Sequence, residues 1–290
     1  MIVGTEVGSL ADVVETIQAD KGDKVETSFE SLRLTKHARK LAHAGFRHIE
    51  LALDTRFTVP GSADNGVIHE LLELRRAKGI SYSVHLPIYD TSFMSLNERI
   101  RKATLECLKE VIVATEPLEI TGYILHPTRY VENEIASLPF AASTKRKIYN
   151  YILGIGGLGL SELIDAAGDP MKILLEPDCA IPFDAIIDPL VQKYDVGICF
   201  DYGHHVMFKM NPYKFFDERK DRVKEIHFHD VQVQYKIDHL PLGAGTTEWV
   251  QFIRHITRKN GFDGVLLLEM MQSAAIMSLP KLLSVLEKQR

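Results

Sequence analysis

The chain has 290 residues, of which 46% are apolar and 25% are charged, a composition typical of a globular protein with a sizeable core. This composition excludes the disordered, collagen-like and disulfide-rich classes of protein. With 34 basic and 39 acidic side chains the net charge is −5, which argues against a nucleic-acid partner because phosphate backbones are bound by basic side chains.

The cysteines and the start of the chain bear on the cellular compartment. Cys107, Cys179 and Cys199 are odd in number and lack CxxC spacing, which favours reduced thiols over a disulfide framework. No apolar run approaches the roughly 18 residues of a membrane span, and no basic segment followed by an apolar one opens the chain. We therefore expect a cytoplasmic protein that does not enter a membrane.

Short apolar runs of strand length recur along the chain. In order they are MIVGTEV (1–7), HIELAL (48–53), SYSVHLP (81–87), GYILHP (122–127), KILLEP (172–177), VGICFD (196–201), EIHFHD (225–230) and GVLLLEM (264–270). Segments with helical spacing lie between them, as at Leu105, Leu108 and Val111. About eight such strand–helix units predict an α/β fold, a closed (β/α)8 TIM barrel that forms a single domain over residues 1–290.

An open, doubly wound parallel sheet is the alternative architecture. It is disfavoured because no GxGxxG motif follows the first strand. The Gly-rich stretch GIGGLG (154–159) lies inside a helical segment instead, and we expect it to interrupt that helix.

Ionisable residues stand at the ends of seven predicted strands. Barrel enzymes carry their chemistry at the carboxyl ends of the strands. A lone charge entering an apolar strand is costly to bury, so a shared metal centre explains the whole set better than seven separate structural hydrogen bonds. The seven residues are Glu50, His85, His126, Glu176, Asp201, His227 and Glu269. Carboxylates and imidazoles without a well-placed cysteine favour Zn or Mn.

These motifs resemble a known group of barrels. HIEL, VHLP, LHP, LLEP, FDYGHH, HFHD, DHLPLGAGTTEW and LLLEM are similar, in order and over nearly the whole chain, to the xylose isomerase-like superfamily. That superfamily includes sugar isomerases and epimerases, inosose-processing enzymes and endonuclease IV. In its sugar epimerases four residues from the last four strands hold one metal, and the resemblance implies that role for Glu176, Asp201, His227 and Glu269.

The endonuclease IV branch uses further ligands, and the resemblance extends to His85, His126, His204 and His239. It implies a pair of ions that share Glu176. A third ion would rest on His204 and His239, but the Asp of that branch falls on Ile237, and Asp238 is out of register. The resemblance therefore implies one to two ions, with a third in question.

A narrower likeness points to one branch of the superfamily. SYSVHLPIYDTSFMSLNERIRKATLE, PLEITGYILHP and CFDYGHH, followed by HFHDV and DHLPL, resemble the cobamide-remodelling phosphodiesterases. Those enzymes hydrolyse the nucleotide loop of vitamin B12-type cofactors and leave a cobinamide phosphate.

Two enzymatic hypotheses follow, both with a small-molecule substrate. The favoured one is metal-dependent phosphoester or phosphodiester hydrolysis, with Glu176, Glu269, His204 and His239 as catalytic residues. The alternative is isomerisation or epimerisation of a sugar or sugar phosphate, in which Glu176 and Glu269 move a proton. A DNA-repair endonuclease and a barrel that binds a ligand without turnover are less favoured.

Four more residues are candidates for substrate binding: Glu50, Arg129, His229 and Trp249. Each also has a structural interpretation, as a buried polar group, an exposed loop cation or a core aromatic. The oligomeric state stays open.

Overall fold

The strand-length runs pair in parallel and close on themselves. The computed structural model describes residues 1–9, 12, 34–59, 61, 63–127, 135, 137–177 and 183–288. The strands are β1 (Ile2–Val7), β2 (His48–Ala52), β3 (Ser81–His85), β4 (Tyr123–Leu125), β5 (Ile173–Leu175), β6 (Gly197–Asp201), β7 (Val223–Phe228), β8 (Asp230–Gln232), β9 (Ile237–Leu240) and β10 (Val265–Leu268). Eight of these described strands form a closed barrel in the order β1-β10-β7-β6-β5-β4-β3-β2.

Helices follow the strands and cover the outside of the barrel. They are α1 (Leu34–Ala44), α2 (Thr55–Thr58), α3 (Asn65–Lys78), α4 (Glu98–Thr115), α5 (Ala142–Ala167), α6 (Phe183–Tyr194), α7 (Tyr202–Met207), α8 (Pro212–Arg219), α9 (Trp249–Arg254) and α10 (Gln272–Glu287). A π-helical turn over His255–Lys259 extends α9. Among the described residues, no helix combines the length and apolarity needed to cross a bilayer.

The barrel forms because its strands are buried on both faces. Every residue of β2 and of β6 is buried, as expected for parallel strands covered by helices outside and packed side chains inside. The predicted TIM barrel is confirmed.

A small antiparallel pair interrupts the strand–helix alternation after β7. β8 pairs with β9, with Asp230 opposite Leu240. The strand–helix alternation in the sequence does not predict this hairpin. Because it follows the carboxyl end of β7, it carries Asp238 and His239 over the mouth of the barrel.

The Gly-rich stretch does not interrupt its helix, so that expectation is wrong. α5 runs unbroken from Ala142 to Ala167, and its glycines serve close packing instead. A Cβ on Gly156 would lie 2.7 Å from the side chain of Met94, and a Cβ on Gly157 would lie 2.0 Å from the Tyr194 hydroxyl. Small residues therefore let α5 approach its neighbours closely.

We predict opposite effects for two alanine substitutions in this stretch. Gly157→Ala should destabilise the fold by about 1–3 kcal/mol, because the stiff Tyr194 ring must move. Gly154→Ala, with no atom near the added Cβ, should stabilise it by about 0.5–1 kcal/mol. Urea unfolding of both variants measures this difference, and equal free energies of unfolding would contradict the packing role.

Candidate metal centre

A cavity of about 300 Å³ opens at the carboxyl ends of the barrel strands. Its lining divides into an ionisable part and a mainly apolar part. The ionisable residues are Glu6, Asp54, His85, His126, Glu176, His204, His239 and Glu269, and the others are Ser9, Ala52, Ile88, Tyr89, Met270 and Met271. Polar groups thus converge in a largely apolar pocket, as in many ligand sites.

Glu176 lies at the centre of the ionisable part. It follows β5 directly and is buried. Its Oε2 atom lies 3.5 Å from His85 Nε2 and 3.1 Å from His126 Nε2. Its Oε1 atom lies 3.2 Å from His227 Nδ1. The two oxygens of one carboxylate therefore face two different sets of candidate ligands.

His85 and His126 form the first set. Their Nε2 atoms are only 3.3 Å apart. His85 Nδ1 lies 3.1 Å from the carbonyl oxygen of Leu86, which fits a proton on Nδ1 and a lone pair on Nε2. Two imidazole nitrogens this close to each other and to a carboxylate are arranged as ligands of one cation.

The second set comprises Glu176, Asp201, His227 and Glu269, whose ligand atoms all lie within 4.8 Å of one another. His227 Nδ1 is 3.2 Å from Glu269 Oε2 as well as from Glu176. These side chains come from the ends of β5, β6, β7 and β10, which are neighbours in the barrel.

The hydrogen bonds of this region support a bound cation. His227 Nδ1, Glu176 Oε2 and Glu269 Oε2 are buried, and within the described part of the chain none of their close contacts has hydrogen-bonding geometry. Buried polar atoms are rarely left unsatisfied. A divalent ion on each side of Glu176 would satisfy all three, so the donor set fits the metal centre that the sequence predicts.

Asp201 is held by its own helix. Its carboxylate accepts a hydrogen bond from the backbone N–H of His204 at 2.7 Å and so caps the first turn of α7. His204 Nδ1 lies 2.8 Å from the other oxygen. The strand-to-helix turn therefore fixes Asp201 and His204 together at the cavity.

His239 reaches the same region from the β8–β9 hairpin. Its Nε2 atom lies 3.5 Å from Glu269 Oε2, and its Nδ1 atom lies 3.2 Å from Asp238 Oδ1. The backbone at His239 is left-handed, with φ of 52°, which breaks the alternation of side chains along β9. Asp238 Oδ2 lies within 3.6 Å of His204 Nε2, so Asp238 contacts this cluster although it stands one residue away from the Asp that the resemblance expects.

The carboxylates set the charge of these imidazoles. Burial alone would lower the pKa of His204, but the Asp201 and Asp238 carboxylates outweigh it and raise that pKa to about 12. Burial alone would also lower the pKa of His239, but hydrogen bonds to Asp238 and Glu269 outweigh burial and raise this pKa to about 10. Both side chains are cations at neutral pH when no metal is bound.

A second polar layer lies beneath the metal centre. Ser83 Oγ is 3.2 Å from Glu50 Oε2 and 3.1 Å from Glu225 Oε1, and His48 Nε2 lies 2.8 Å from the same hydroxyl. Burial and the nearby negative charge of Glu50 raise the pKa of Glu225 well above its ordinary value. Glu225 therefore keeps its proton to a higher pH than a solvent-exposed carboxyl does.

The fold and this arrangement agree with a comparison against protein families. The model that describes the xylose isomerase-like TIM barrel matches residues 38–287. The chain belongs to this family. The superfamily inferred from the strand-end motifs is thus confirmed.

Individual relatives of this xylose isomerase-like barrel are distant in sequence. An uncharacterized protein of Methanocaldococcus jannaschii, MJ1311, is 26% identical over 249 residues, which cover 81% of this chain and 78% of that protein. A D-tagatose 3-epimerase-like protein of known structure is 24% identical, with a TM-score of 0.70 over 100% of this chain and 98% of its own. The IOLI protein with a bound zinc atom is 15% identical, with a TM-score of 0.68 over 100% and 99% of the two chains. The two solved structures show the fold that this chain shares.

Three predicted substrate-binding residues of this xylose isomerase-like barrel do not line the cavity, so those predictions are wrong. Glu50 is fully buried below the site, where its Oε1 atom lies 3.3 Å from His227 Nε2. His229 is fully buried behind Asp201. Trp249 packs against the hydrophobic core at the start of α9. Arg129 lies outside the described residues.

Two ionisable residues of the cavity, Glu6 and Asp54, are not among those that the sequence predicts. Glu6 lies near the end of β1, and burial together with the charges of Glu269 and Glu50 raises its pKa to about 8. Asp54 accepts hydrogen bonds from the backbone N–H groups of Ile88 and Tyr89, which holds the loop after β3. Applying the strand-end criterion to MIVGTEV would have found Glu6.

The raised pKa of Glu225 predicts a pH effect on stability. A carboxyl whose pKa is higher in the folded than in the unfolded chain destabilises the fold increasingly as the pH rises above the ordinary carboxyl pKa of 4.5. Glu225→Gln should abolish this loss of stability, which amounts to at most about 1.4 kcal/mol per pH unit. Urea unfolding of metal-free protein between about pH 5 and about pH 8 measures it. A variant whose stability relative to wild type does not rise with pH would contradict the raised pKa.

Proposed function

We propose that this barrel is a divalent-metal-dependent hydrolase that cleaves a phosphoester or phosphodiester of a small molecule. The observation that carries the proposal is the orientation of Glu176, whose Oε2 faces His85 and His126 while its Oε1 faces His227. One carboxylate can bridge two ions only in such an arrangement. A one-metal isomerase would not need the two histidines.

The residues divide between two ion positions. His85, His126 and Glu176 would hold one ion, and Glu176, Asp201, His227 and Glu269 would hold the other. Oxygen and imidazole ligands suit Zn or Mn. When bound, a pair of divalent ions supplies Lewis acidity and a nucleophile at neutral pH.

His204 and His239 would bind the phosphate group or protonate the leaving oxygen. Both line the cavity, and their imidazoles are held cationic by Asp201, Asp238 and Glu269. An imidazolium can donate a hydrogen bond to a phosphate oxygen and can give its proton to a leaving oxygen. Glu269 contacts His239 Nε2 and so orients this donor.

The apolar part of the cavity fits a substrate with a large apolar portion. Ile88, Tyr89, Met270 and Met271 line one side, and Tyr89 and Met271 are nearly half exposed. Together with the motif likeness to cobamide-remodelling phosphodiesterases, this favours the nucleotide loop of a corrinoid as the first substrate to test. We include Arg129 among the groups proposed to bind phosphate.

A second candidate function is isomerisation or epimerisation of a sugar or sugar phosphate. Glu176, Asp201, His227 and Glu269 complete a one-metal site without help from His85 and His126. The structural similarity to a D-tagatose 3-epimerase-like protein supports this second candidate. Here Glu176 and Glu269 would transfer the proton.

Metal counting separates the two functions. Wild-type protein saturated with Zn and freed of excess should hold about two ions per chain by elemental analysis, because both ligand sets are complete. The double variant His85→Ala, His126→Ala should hold about one ion and lose hydrolysis of bis(p-nitrophenyl) phosphate and of cobamides. It would keep the quartet that an isomerase needs.

A matched control removes two exposed histidines instead. His43→Ala, His69→Ala changes the same residue type on α1 and α3, away from the cavity, and should keep both ions. If wild-type protein bound a single ion and exchanged the proton of a ketose with solvent, the isomerase would be favoured. Phosphodiester hydrolysis that survives in the His85, His126 variant would overturn the two-ion site.

A further inference from the structure

His229 stands where it could be mistaken for a metal ligand. Its ring lies with those of His204 and His239, and one nitrogen from each falls within 4.8 Å of the others. Three histidine side chains at this spacing could together bind one metal ion. The hydrogen bonds of His229 decide whether it can act as the third ligand.

The Nδ1 atom of His229 accepts a hydrogen bond. The backbone N–H of His239 points at it with an N···N distance of 3.0 Å. A backbone N–H can only donate, so Nδ1 must present a lone pair. The carbonyl oxygen of Asp230 lies 3.4 Å from the same nitrogen, but a proton on Nδ1 would meet the His239 proton head-on. The shorter contact therefore fixes Nδ1 as the acceptor.

The proton of the neutral ring must then lie on Nε2. That atom lies 3.4 Å from Asp201 Oδ2, within hydrogen-bonding geometry, and 3.3 Å from Oδ1. An Nε2–H group donates to the carboxylate and has no lone pair left for a cation. In this tautomer neither nitrogen of His229 is available as a ligand.

The surroundings hold the ring in this orientation. His229 is fully buried, and its ring stacks on that of His239 with centroids 4.3 Å apart and planes 13° apart. Gly203 also borders the ring, and a Cβ at that position would come within 2.1 Å of the imidazole. The chain therefore leaves room for the ring at one position and fixes it there.

We propose that His229 is a positioning residue that donates from Nε2 to Asp201, and not a ligand of a third ion. It joins the left-handed segment at His239 to the carboxylate that would hold an ion with His227. The assignment rests on the proposed function only in taking Asp201 as a metal ligand. It leaves His204 and His239 free to contact substrate.

Two amide variants separate the positioning role from ligation. The amide nitrogen of His229→Gln can occupy the place of Nε2 and donate to Asp201, whereas His229→Asn can replace only the Nδ1 acceptor. Zn titration by calorimetry should show near wild-type affinity for the Gln variant. The Asn variant should bind the ion at Asp201 about 10- to 100-fold more weakly. If His229 were a ligand, both variants would lose the same ion.

Nitrogen NMR of histidine-labelled wild-type protein tests the assignment without a substitution. We expect a proton on Nε2 of His229, none on Nδ1, and no scalar coupling to an NMR-active cadmium isotope loaded into the site. Coupling to cadmium, or a proton on Nδ1, would overturn the assignment. If the chain bound no ion at all, the proposed function would fail, yet the tautomer in the metal-free protein would still decide the role of His229.

Discussion

The site depends on one carboxylate that faces in two directions. Glu176 follows a strand of only three residues, and its two oxygens meet imidazoles from strands on either side of β5 in the barrel order, His126 after β4 and His227 on β7. Such convergence concentrates negative and polar groups where water is largely excluded. Divalent cations bound between these groups would offset that cost.

The layer beneath the site stabilises it in a different way. His227 uses Nδ1 toward Glu176 and Glu269, and its Nε2 faces Glu50. Glu50 is in turn linked through Ser83 to Glu225. A carboxylate behind a ligating histidine fixes the ring and raises its basicity. Since these two carboxyls lie close together in a buried layer, the pKa of Glu225 is raised well above its ordinary value.

The strand-end criterion predicted the architecture and a set of candidate ligands, yet it could not resolve depth along the barrel axis. Ala52 pairs with His85, whereas Glu50 pairs with Ser83 two residues deeper. A residue at the end of an apolar run can therefore face the cavity or lie below it, depending on the stagger between neighbouring strands. That stagger is a property of the closed sheet, and a single run of sequence does not contain it.

The contact between Asp238 and His204 depends on the backbone of one residue. Counting positions along a strand assumes that side chains alternate, so a one-residue shift should turn Asp238 away from His239. The left-handed conformation of His239 removes that alternation, and both side chains face His204 or its neighbours. Strain of this kind persists where the surroundings hold it, often at functional sites. Here the His229 ring accepts the His239 N–H, so the contact that fixes the tautomer of His229 also helps to hold the strained residue.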